Sequence, residues 1–315
     1  MKRNNNIPEK KFVFVKAKPL ISIITLNWNQ TEITCQFLES TRNLHYKNYE
    51  ILVCDMGSAA DPSGRIAAGK FPNTRILKRE ACTGSNINWA IQETKGDFIL
   101  LINNYIEVTE NILEDLLAPF LTNHALGVTC PKIRSFHKKN MIQYAGYNAL
   151  NRITGRNTII GNRKEDRGQY DTPLYTHGAY SGAMMIRKSV IEHPGMLPQH
   201  FFTYFDDSDV SARILKKGYT ILYQPKAVVY NKNPLASSPK SAIHVYYATR
   251  NRILLMRRNS NVLQFCIFLS FFTFCTVPAT VIKFSAKRQF MHLQSFFKGI
   301  WWNVKMKPAD KISLL

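Results

Sequence analysis

Apolar and polar stretches alternate along residues 19 to about 235 in a pattern that predicts strands and helices in turn. Apolar runs that predict buried strands are LISIITLNW, YEILVCDMGS, DFILLINN and the start of GAMMIRKSVI. Helical spacing marks TEITCQFLESTRNL, with Thr31 as the expected N-cap, then NINWAIQETK and the proline-containing NILEDLLAPFLTN. Strands that alternate with helices are typical of an α/β layered fold with a largely parallel sheet.

Polar residues stand at the ends of the predicted strands, where open α/β sheets bind their ligands. They are Asn27, Asn29, Asp55, Asn103 and Asn104. A carboxylate such as Asp55 can accept a hydrogen bond from a nucleobase or a ribose hydroxyl. It can equally close an Asx turn, and its position alone does not decide between the two roles.

Three carboxylates, Asp206, Asp207 and Asp209, crowd the start of a predicted helix in FFTYFDDSDVSARILKKGY. The helix dipole favours acids at this place, so a multiple helix cap is one interpretation. Crowding also raises the pKa of at least one carboxyl group, which suits a general base, and we favour this second interpretation. The glycine-flanked stretch 177–182 is a weaker candidate for an acceptor-binding loop.

Residues 259–282, NSNVLQFCIFLSFFTFCTVPATVI, carry no charge and are long enough to span a bilayer as a helix. Polar residues dilute the run, and Pro278 is expected to bend its end. Basic residues flank the run on both sides, and by the positive-inside rule a single span would place one basic flank on the wrong side of the membrane. The following stretch, QSFFKGIWWNVKMK, mixes aromatic residues with lysines, as interfacial helices do. We therefore expect region 236–315 to be helical and to anchor the protein at the cytoplasmic face of the inner membrane. The apolar run would dip into the bilayer or form a hairpin; a buried capping helix and a single span are the alternatives.

The composition agrees with a folded protein that meets a negatively charged partner. Hydrophobic residues make up 45% of the 315 residues, and the net charge is +21. Thirteen Lys and Arg stand against one acid from Lys232 onward, beside the apolar run, which favours a membrane surface over nucleic acid. Residues 1–18 are expected to be a basic lead segment without a signal peptide. Six scattered cysteines favour reduced thiols over a zinc site or disulfides.

The order of these pieces resembles family 2 inverting glycosyltransferases, in particular the bacterial rhamnosyltransferase-like branch. The matching stretches are SIITLNWNQ, EILVCDMGSAAD, GSNINWAI, KGDFILLINN, YSGAMMIRKSVIEHPGMLPQHFFTYFDDSDVSARILKKGY, ILYQPKAVVYNK and YYATRNRILLMRR. The resemblance implies a GT-A fold over residues 19–235, with a nucleotide-sugar-binding sheet and flanking helices. It also implies transfer of a sugar from a nucleotide donor with inversion.

The resemblance also assigns site residues. Asp207 corresponds to the catalytic base, and Asp206 replaces the glutamate that usually precedes it. Asp55 is implied to read the nucleotide base. The full donor-binding set is Asn27, Asn29, Asp55, Asn88, Asn103, Lys232, Arg250 and Arg252, and the acceptor-binding set is Tyr180, Ser181 and Gly182.

Two positions depart from the family pattern. Tyr105 stands where the family has its metal-binding aspartate, and Asn231 where it often has a histidine. Glu107 is nearby, but we expect it to cap a helix. Without strong metal ligands, Lys232, Arg250 and Arg252 are the candidates to offset the charge of the leaving diphosphate. We expect Mg²⁺ or Mn²⁺ to be weakly bound or dispensable.

These observations predict a membrane-associated glycosyltransferase of polysaccharide biosynthesis in the cell envelope. Its partners would be a nucleotide-sugar donor, a lipid-linked or nascent glycan acceptor and an anionic membrane surface, with no nucleic acid. The alternative is a catalytically silent homologue that binds nucleotide-sugar or glycan as a scaffold. The retained acids favour the enzyme, whereas Tyr105 and Asn231 favour the scaffold.

Overall fold

A computed structural model describes residues 18–79, 88–192, 204–233 and 241–305. The predicted lead segment, apart from Lys18, and the boundary expected at residue 235 lie outside the described residues. So does part of the stretch GSNINWAI that carries the resemblance.

The ten described strands form one sheet. In chain order they are β1 Ile21–Asn27, β2 Tyr49–Asp55, β3 Thr74–Lys78, β4 Phe98–Ile102, β5 Ile106–Val108, β6 Leu126–Ser135, β7 Ile142–Tyr144, β8 Leu174–Tyr175, β9 Ala183–Arg187 and β10 Thr220–Asn231. The spatial order is β3-β2-β1-β4-β9-β6-β10-β5, with β7 beside β6 and β8 beside β10.

Helices flank the sheet and form the C-terminal region. They are α1 Thr31–Ser40, α2 Ser63–Ala68, α3 Asn88–Gln92, α4 Ile112–Thr122, α5 Lys188–Ile191, α6 Asp206–Lys216, α7 Ala242–Asn259, α8 Val262–Phe271, α9 Val277–Ala286 and α10 Phe290–Lys305. A π-helical turn, Phe272–Thr276, joins α8 to α9. The α/β class expected from the sequence is therefore confirmed.

The sheet is parallel only in two separate parts. Strands β1 to β4 run parallel, and so do β6 and β10, but β9 lies antiparallel between β4 and β6. The prediction of a largely parallel sheet therefore holds for β1 to β4 and for the pair β6 and β10. It fails at β9 and also at β5, β7 and β8, which pair antiparallel. The apolar runs of β1, β2 and β4 are almost wholly buried, as expected of strands that are covered on both faces.

Two local predictions need correction. The residue that caps α1 is Gln30, and Thr31 is already the first helical residue. Glu107 does not cap a helix, because it lies in the middle of β5 opposite Tyr230 of β10.

From Val262 onward, the C-terminal apolar run lies in one continuous helix. Val262–Ala286 is 25 residues long with a mean hydropathy of 2.1, which makes it the one helix in the described part of the chain that meets the length and composition of a membrane span. Pro278 does not end this helix, because the π turn before it accommodates the missing backbone N–H. Only 11% of its most apolar window is buried, which argues against the buried capping helix.

Candidate active site

The carboxyl edge of β1 and β2 is organised by a hydrogen-bonded network around Asp55. Asn27 donates from Nδ2 to Asp55 Oδ1 at 2.8 Å and accepts from the Thr34 hydroxyl at 2.7 Å. Ser58 donates to Asp55 through its backbone N–H at 3.1 Å and its hydroxyl at 2.6 Å. Asp55 therefore closes the turn after β2, and Asn27, which is fully buried, holds the carboxylate in place.

Asn29 has a comparable structural role in the loop after β1. Its backbone is left-handed, with φ of 52°, a conformation that asparagine tolerates better than most residues. Its side-chain oxygen accepts from the Ala59 N–H at 2.7 Å, and its own N–H donates to the Ser58 hydroxyl at 2.8 Å. Asn88, which was also predicted to bind the donor, is the first residue of α3. The predicted donor contacts of these amides remain predictions.

A strained turn directly precedes the two candidate catalytic acids and positions them at the start of α6. Tyr204 and Phe205 both have positive φ, 63° and 64°, directly before α6 begins at Asp206. Consecutive left-handed aromatic residues are costly, and such strain persists where surrounding contacts hold it. Buried Asn251 supplies one such contact, since its Nδ2 donates to the Tyr204 carbonyl at 3.0 Å.

Asp207 accepts hydrogen bonds at both carboxylate oxygens. The Tyr147 hydroxyl donates to Oδ2 at 2.8 Å, and Ser208 donates to Oδ1 from its N–H at 2.7 Å and its hydroxyl at 3.2 Å. These donors favour the ionised form, which a general base requires. Tyr147 was not found from the sequence, because no motif surrounds it and it lies 60 residues from Asp207.

Both acids have raised pKa values. Burial, reinforced by the charge of Asp207, raises the pKa of Asp206 to about 7. Burial also raises the pKa of Asp207, against the lowering effect of the Tyr147 and Ser208 hydrogen bonds. The two carboxyl groups titrate as a pair, and the hydrogen bonds that Asp207 accepts favour its ionised form, which suits the base of the pair.

Tyr105 lies beside these acids and contacts the predicted acceptor loop. Its hydroxyl accepts from Asn103 Nδ2 and hydrogen-bonds with the Tyr180 hydroxyl. Burial, together with the nearby charge of Asp206, raises the pKa of Tyr105, so the phenol stays neutral. The carbonyl of Gly182 accepts from the Asn103 N–H at 2.9 Å, and a side chain at Gly182 would collide with the Tyr180 ring. Asn103, Tyr105, Tyr180, Gly182, Asp206 and Asp207 are thus brought together, with Ser181 between two of them.

The residues at the family's metal positions do not fit a divalent cation. Tyr105 offers a protonated phenol, and the Asn103 amide that contacts it is turned with its NH₂ group inward. The Asn231 side-chain oxygen accepts from the Asn233 N–H at 2.8 Å, and its buried NH₂ group has no hydrogen-bond partner among the described residues. Protein sites for Mg²⁺ normally include one or two carboxylates, which neither Tyr105 nor Asn231 supplies.

Of the three predicted diphosphate-binding cations, only Lys232 lies next to this site. Its N–H donates to the Tyr105 carbonyl at 2.9 Å, and its ammonium lies 3.2 Å from Glu107. Arg250 instead stacks on the Trp302 ring, 3.8 Å from the ring centroid. Arg252 donates to the Thr154 carbonyl at 2.7 Å, and burial lowers its pKa to about 10. These placements argue against the predicted donor-binding role of both arginines and give them a role in packing α7.

Asp209 does not belong to the acid pair. It is fully buried, and it lies 2.8 Å from Arg213 Nε and 3.7 Å from Arg258 Nε. Asn259 Nδ2 also donates to it at 2.9 Å. The Asp209 side chain therefore links α6 to α7. Of the three acids that were predicted to share one site, only Asp206 and Asp207 do so.

The sequence of the chain matches one family model, and its fold resembles solved structures. The family model described as glycosyl transferase family 2 matches residues 22–193, which is more than half of the chain. No curated protein sequence matches the chain significantly.

Solved structures resemble the chain at low identity. The fragment 1–349 of S. aureus TarS in complex with UDP-GlcNAc is 16% identical over 89% of this chain and 80% of that one, with a TM-score of 0.58. The mannosyltransferase PcManGT from Pyrobaculum calidifontis, in complex with GDP-Man and Mn²⁺, is 14% identical over 94% and 85%, with a TM-score of 0.56. GalNAc-T7 with UDP, GalNAc and Mn²⁺ is 16% identical over 75% of this chain, which spans only 48% of that protein, with a TM-score of 0.57. At such identities the likeness establishes the fold and confirms the predicted GT-A architecture.

Proposed function

Because this chain belongs to glycosyl transferase family 2, we propose that it transfers a sugar from a nucleotide-sugar donor to an acceptor hydroxyl with inversion. The observation that carries this proposal is the acid pair, Asp206 and Asp207, held at the start of α6 beside Tyr105 and Tyr180. A scaffold would have no need for a strained turn that holds two acids of raised pKa side by side at one site.

The proposed reaction uses the chain's own groups for each task. Asp207 takes the proton of the acceptor hydroxyl as that oxygen attacks the anomeric carbon. The bond from the anomeric carbon to the diphosphate oxygen breaks on the opposite face, so the configuration inverts. Asp55 lies at the edge where we expect the nucleoside to bind, and Lys232, beside Tyr105, would offset the charge of the departing diphosphate. The TarS fragment was solved with UDP-GlcNAc and PcManGT with GDP-Man, so both uridine and guanosine diphosphate sugars are donors to test.

The proposal is tested by a hydrolysis and transfer screen over purified UDP-, GDP- and dTDP-sugars. We expect one donor class to be consumed, with activity that survives EDTA, because Tyr105 and Asn231 at the family's metal positions offer a metal no charged ligand. Failure of every donor, with and without divalent metal, would favour the scaffold. Complete loss in EDTA that Mn²⁺ restores would show that another ligand set exists.

Tyr105→Asp should introduce dependence on Mg²⁺ or Mn²⁺. The new carboxylate would add the negatively charged oxygen ligand that such cations require. We expect the variant's transfer rate to rise at least ~10-fold with Mn²⁺, while the wild type changes little. Tyr105→Asn is the matched control, because it removes the phenol without adding charge. An equal response of both variants to metal would contradict the interpretation.

We further propose that the acceptor is a lipid-linked or nascent glycan, met at the cytoplasmic face of the membrane. The support is the exposure of apolar side chains on the helix Val262–Ala286. Phe274 is 78% exposed, Ile282 69% and Leu263 70%. Without a membrane, these apolar side chains would be exposed to water. Insertion of the helix into a bilayer would bury them.

The full-length chain should sediment with membranes, and high salt should release it only partly, since apolar burial is not screened. The double variant Phe274→Asp/Ile282→Asp should move most of the protein to the soluble fraction. The matched control is Leu174→Asp/Tyr175→Asp, which places the same charges on exposed β8 residues of the catalytic region. Recovery of the wild-type chain wholly in the soluble fraction would overturn the membrane assignment.

A further inference from the structure

Two C-terminal helices form an open groove that no step of the proposed reaction uses. It lies between the first turn of α7 and the second half of α10 and has a volume of about 650 Å³. Its walls include Ile243 and Tyr246 of α7 and Lys298, Trp301, Trp302 and Lys305 of α10. A volume of this size is within the range of small-molecule sites.

The walls of the groove are held by close packing of α7 against α10. Gly299 permits this approach, because a Cβ there would lie 2.8 Å from the Tyr246 carbonyl oxygen. Asn303 Nδ2 donates to the Arg250 carbonyl at 3.0 Å, and Arg250 in turn stacks on Trp302. The groove is therefore a feature of the packed helices and does not depend on a loop.

The lining combines aromatic surface with positive charge and no acid. The sequence contains no aspartate or glutamate from Val210 to Ala309, so no carboxylate of this region competes for Lys298 and Lys305. A ligand that suits such a lining carries a negatively charged group and an apolar part. Lysine ammonium groups bind phosphate, and tryptophan suits the boundary between water and hydrocarbon.

An exposed apolar stripe on α10 runs beside these lysines. Phe290, Phe297, Trp301 and Val304 are 65%, 45%, 57% and 65% exposed, and their spacing places them on one face of the helix. Lysines at the edge of an apolar helical face are typical of helices that lie in the membrane interface. The stripe gives the acyl chains of a lipid a surface that continues from the groove.

We infer that this groove binds the headgroup of an anionic phospholipid, with its phosphate at Lys298 and Lys305. The inference rests on the proposed function, since it specifies how the enzyme meets its membrane. The groove is linked to the active site through α7: Ile243 precedes His244, whose ring packs against Tyr204 at 4.1 Å between centroids. Tyr204 lies two residues before Asp206, so a lipid in the groove would orient the acid pair over the membrane surface.

The test is a binding titration of detergent-solubilised full-length protein with short-chain lipids below their micelle concentration. The probes are dihexanoyl phosphatidylglycerol, dihexanoyl phosphatidylcholine and inorganic phosphate. Tryptophan fluorescence reports binding, in a Trp28→Phe/Trp89→Phe background that leaves Trp301 and Trp302 as the only tryptophans. We expect phosphatidylglycerol to bind at least ~10-fold more tightly than phosphatidylcholine, with each lysine contributing about fivefold.

Lys298→Gln/Lys305→Gln should lower the phosphatidylglycerol affinity to that of phosphatidylcholine. Lys216→Gln/Lys217→Gln, an equal loss of charge at exposed residues near the end of α6, should leave it unchanged. Equal affinity for the two lipids, equal effects of the two double variants, or phosphate binding as tight as phosphatidylglycerol would each overturn the inference. Donor hydrolysis is measured separately on the wild type without lipid, so failure of the groove and failure of the proposed enzyme are distinguishable.

Discussion

Asp207→Asn will lower the transfer rate by about 10³-fold and leave donor affinity nearly unchanged. Asparagine has the same shape as aspartate and its side-chain oxygen can still accept from the Tyr147 hydroxyl, which donates at 2.8 Å in the wild type. It cannot take a proton from the acceptor. Measured side by side, kcat should fall while the Kd for the donor nucleotide stays constant.

Asp206→Asn is the matched control, because it removes a carboxylate from the adjacent position. We expect a smaller loss in rate and a shift in pH dependence. A base acts when ionised, so the rate should rise with pH through its raised pKa, and removal of the charge at residue 206 should move this acid limb to lower pH. If Asp207→Asn keeps most of its rate, or if Asp206→Asn is the more damaging, the base is wrongly assigned.

Asp209→Asn will destabilise the fold by about 3–5 kcal/mol, because it leaves buried cationic groups without their counter-charge. Asp209 is fully buried, with Arg213 at 2.8 Å and Arg258 at 3.7 Å. Arg258 is only 5% exposed, so water cannot replace the lost carboxylate. For a chain of this size, such a loss corresponds to a fall in Tm of roughly 10 °C.

A thermal melt of the detergent-solubilised full-length protein measures the change. The control is Glu39→Gln, which removes one partner of the exposed ion pair with Arg42 and should cost at most ~1 kcal/mol. A loss at Asp209 no larger than the loss at Glu39 would show that the buried pair contributes little. Donor affinity of the folded fraction should remain near the wild-type value, since Asp209 points away from the acid pair toward α7.

Sequence reasoning identified the main features that depend on local pattern. The buried strands β1, β2 and β4 are visible as apolar runs, and the acid pair is visible as carboxylates at a helix start. The same reasoning mistook Glu107 for a helix cap, because three isolated strand residues between turns carry no readable period.

Only the tertiary structure decided which of these residues meet. Antiparallel β9 brings the Tyr180 loop to Tyr105, and the Tyr147 hydroxyl reaches Asp207 across 60 residues of sequence. The sequence determined what each residue can do: that Asp207 can be a base, that Tyr105 cannot replace a metal-binding carboxylate, and that the uncharged run 259–282 is long enough for a bilayer. It could not determine that Arg250 and Arg252 pack against the C-terminal helices, because two identical guanidinium groups two residues apart differ only in what the folded chain places beside them.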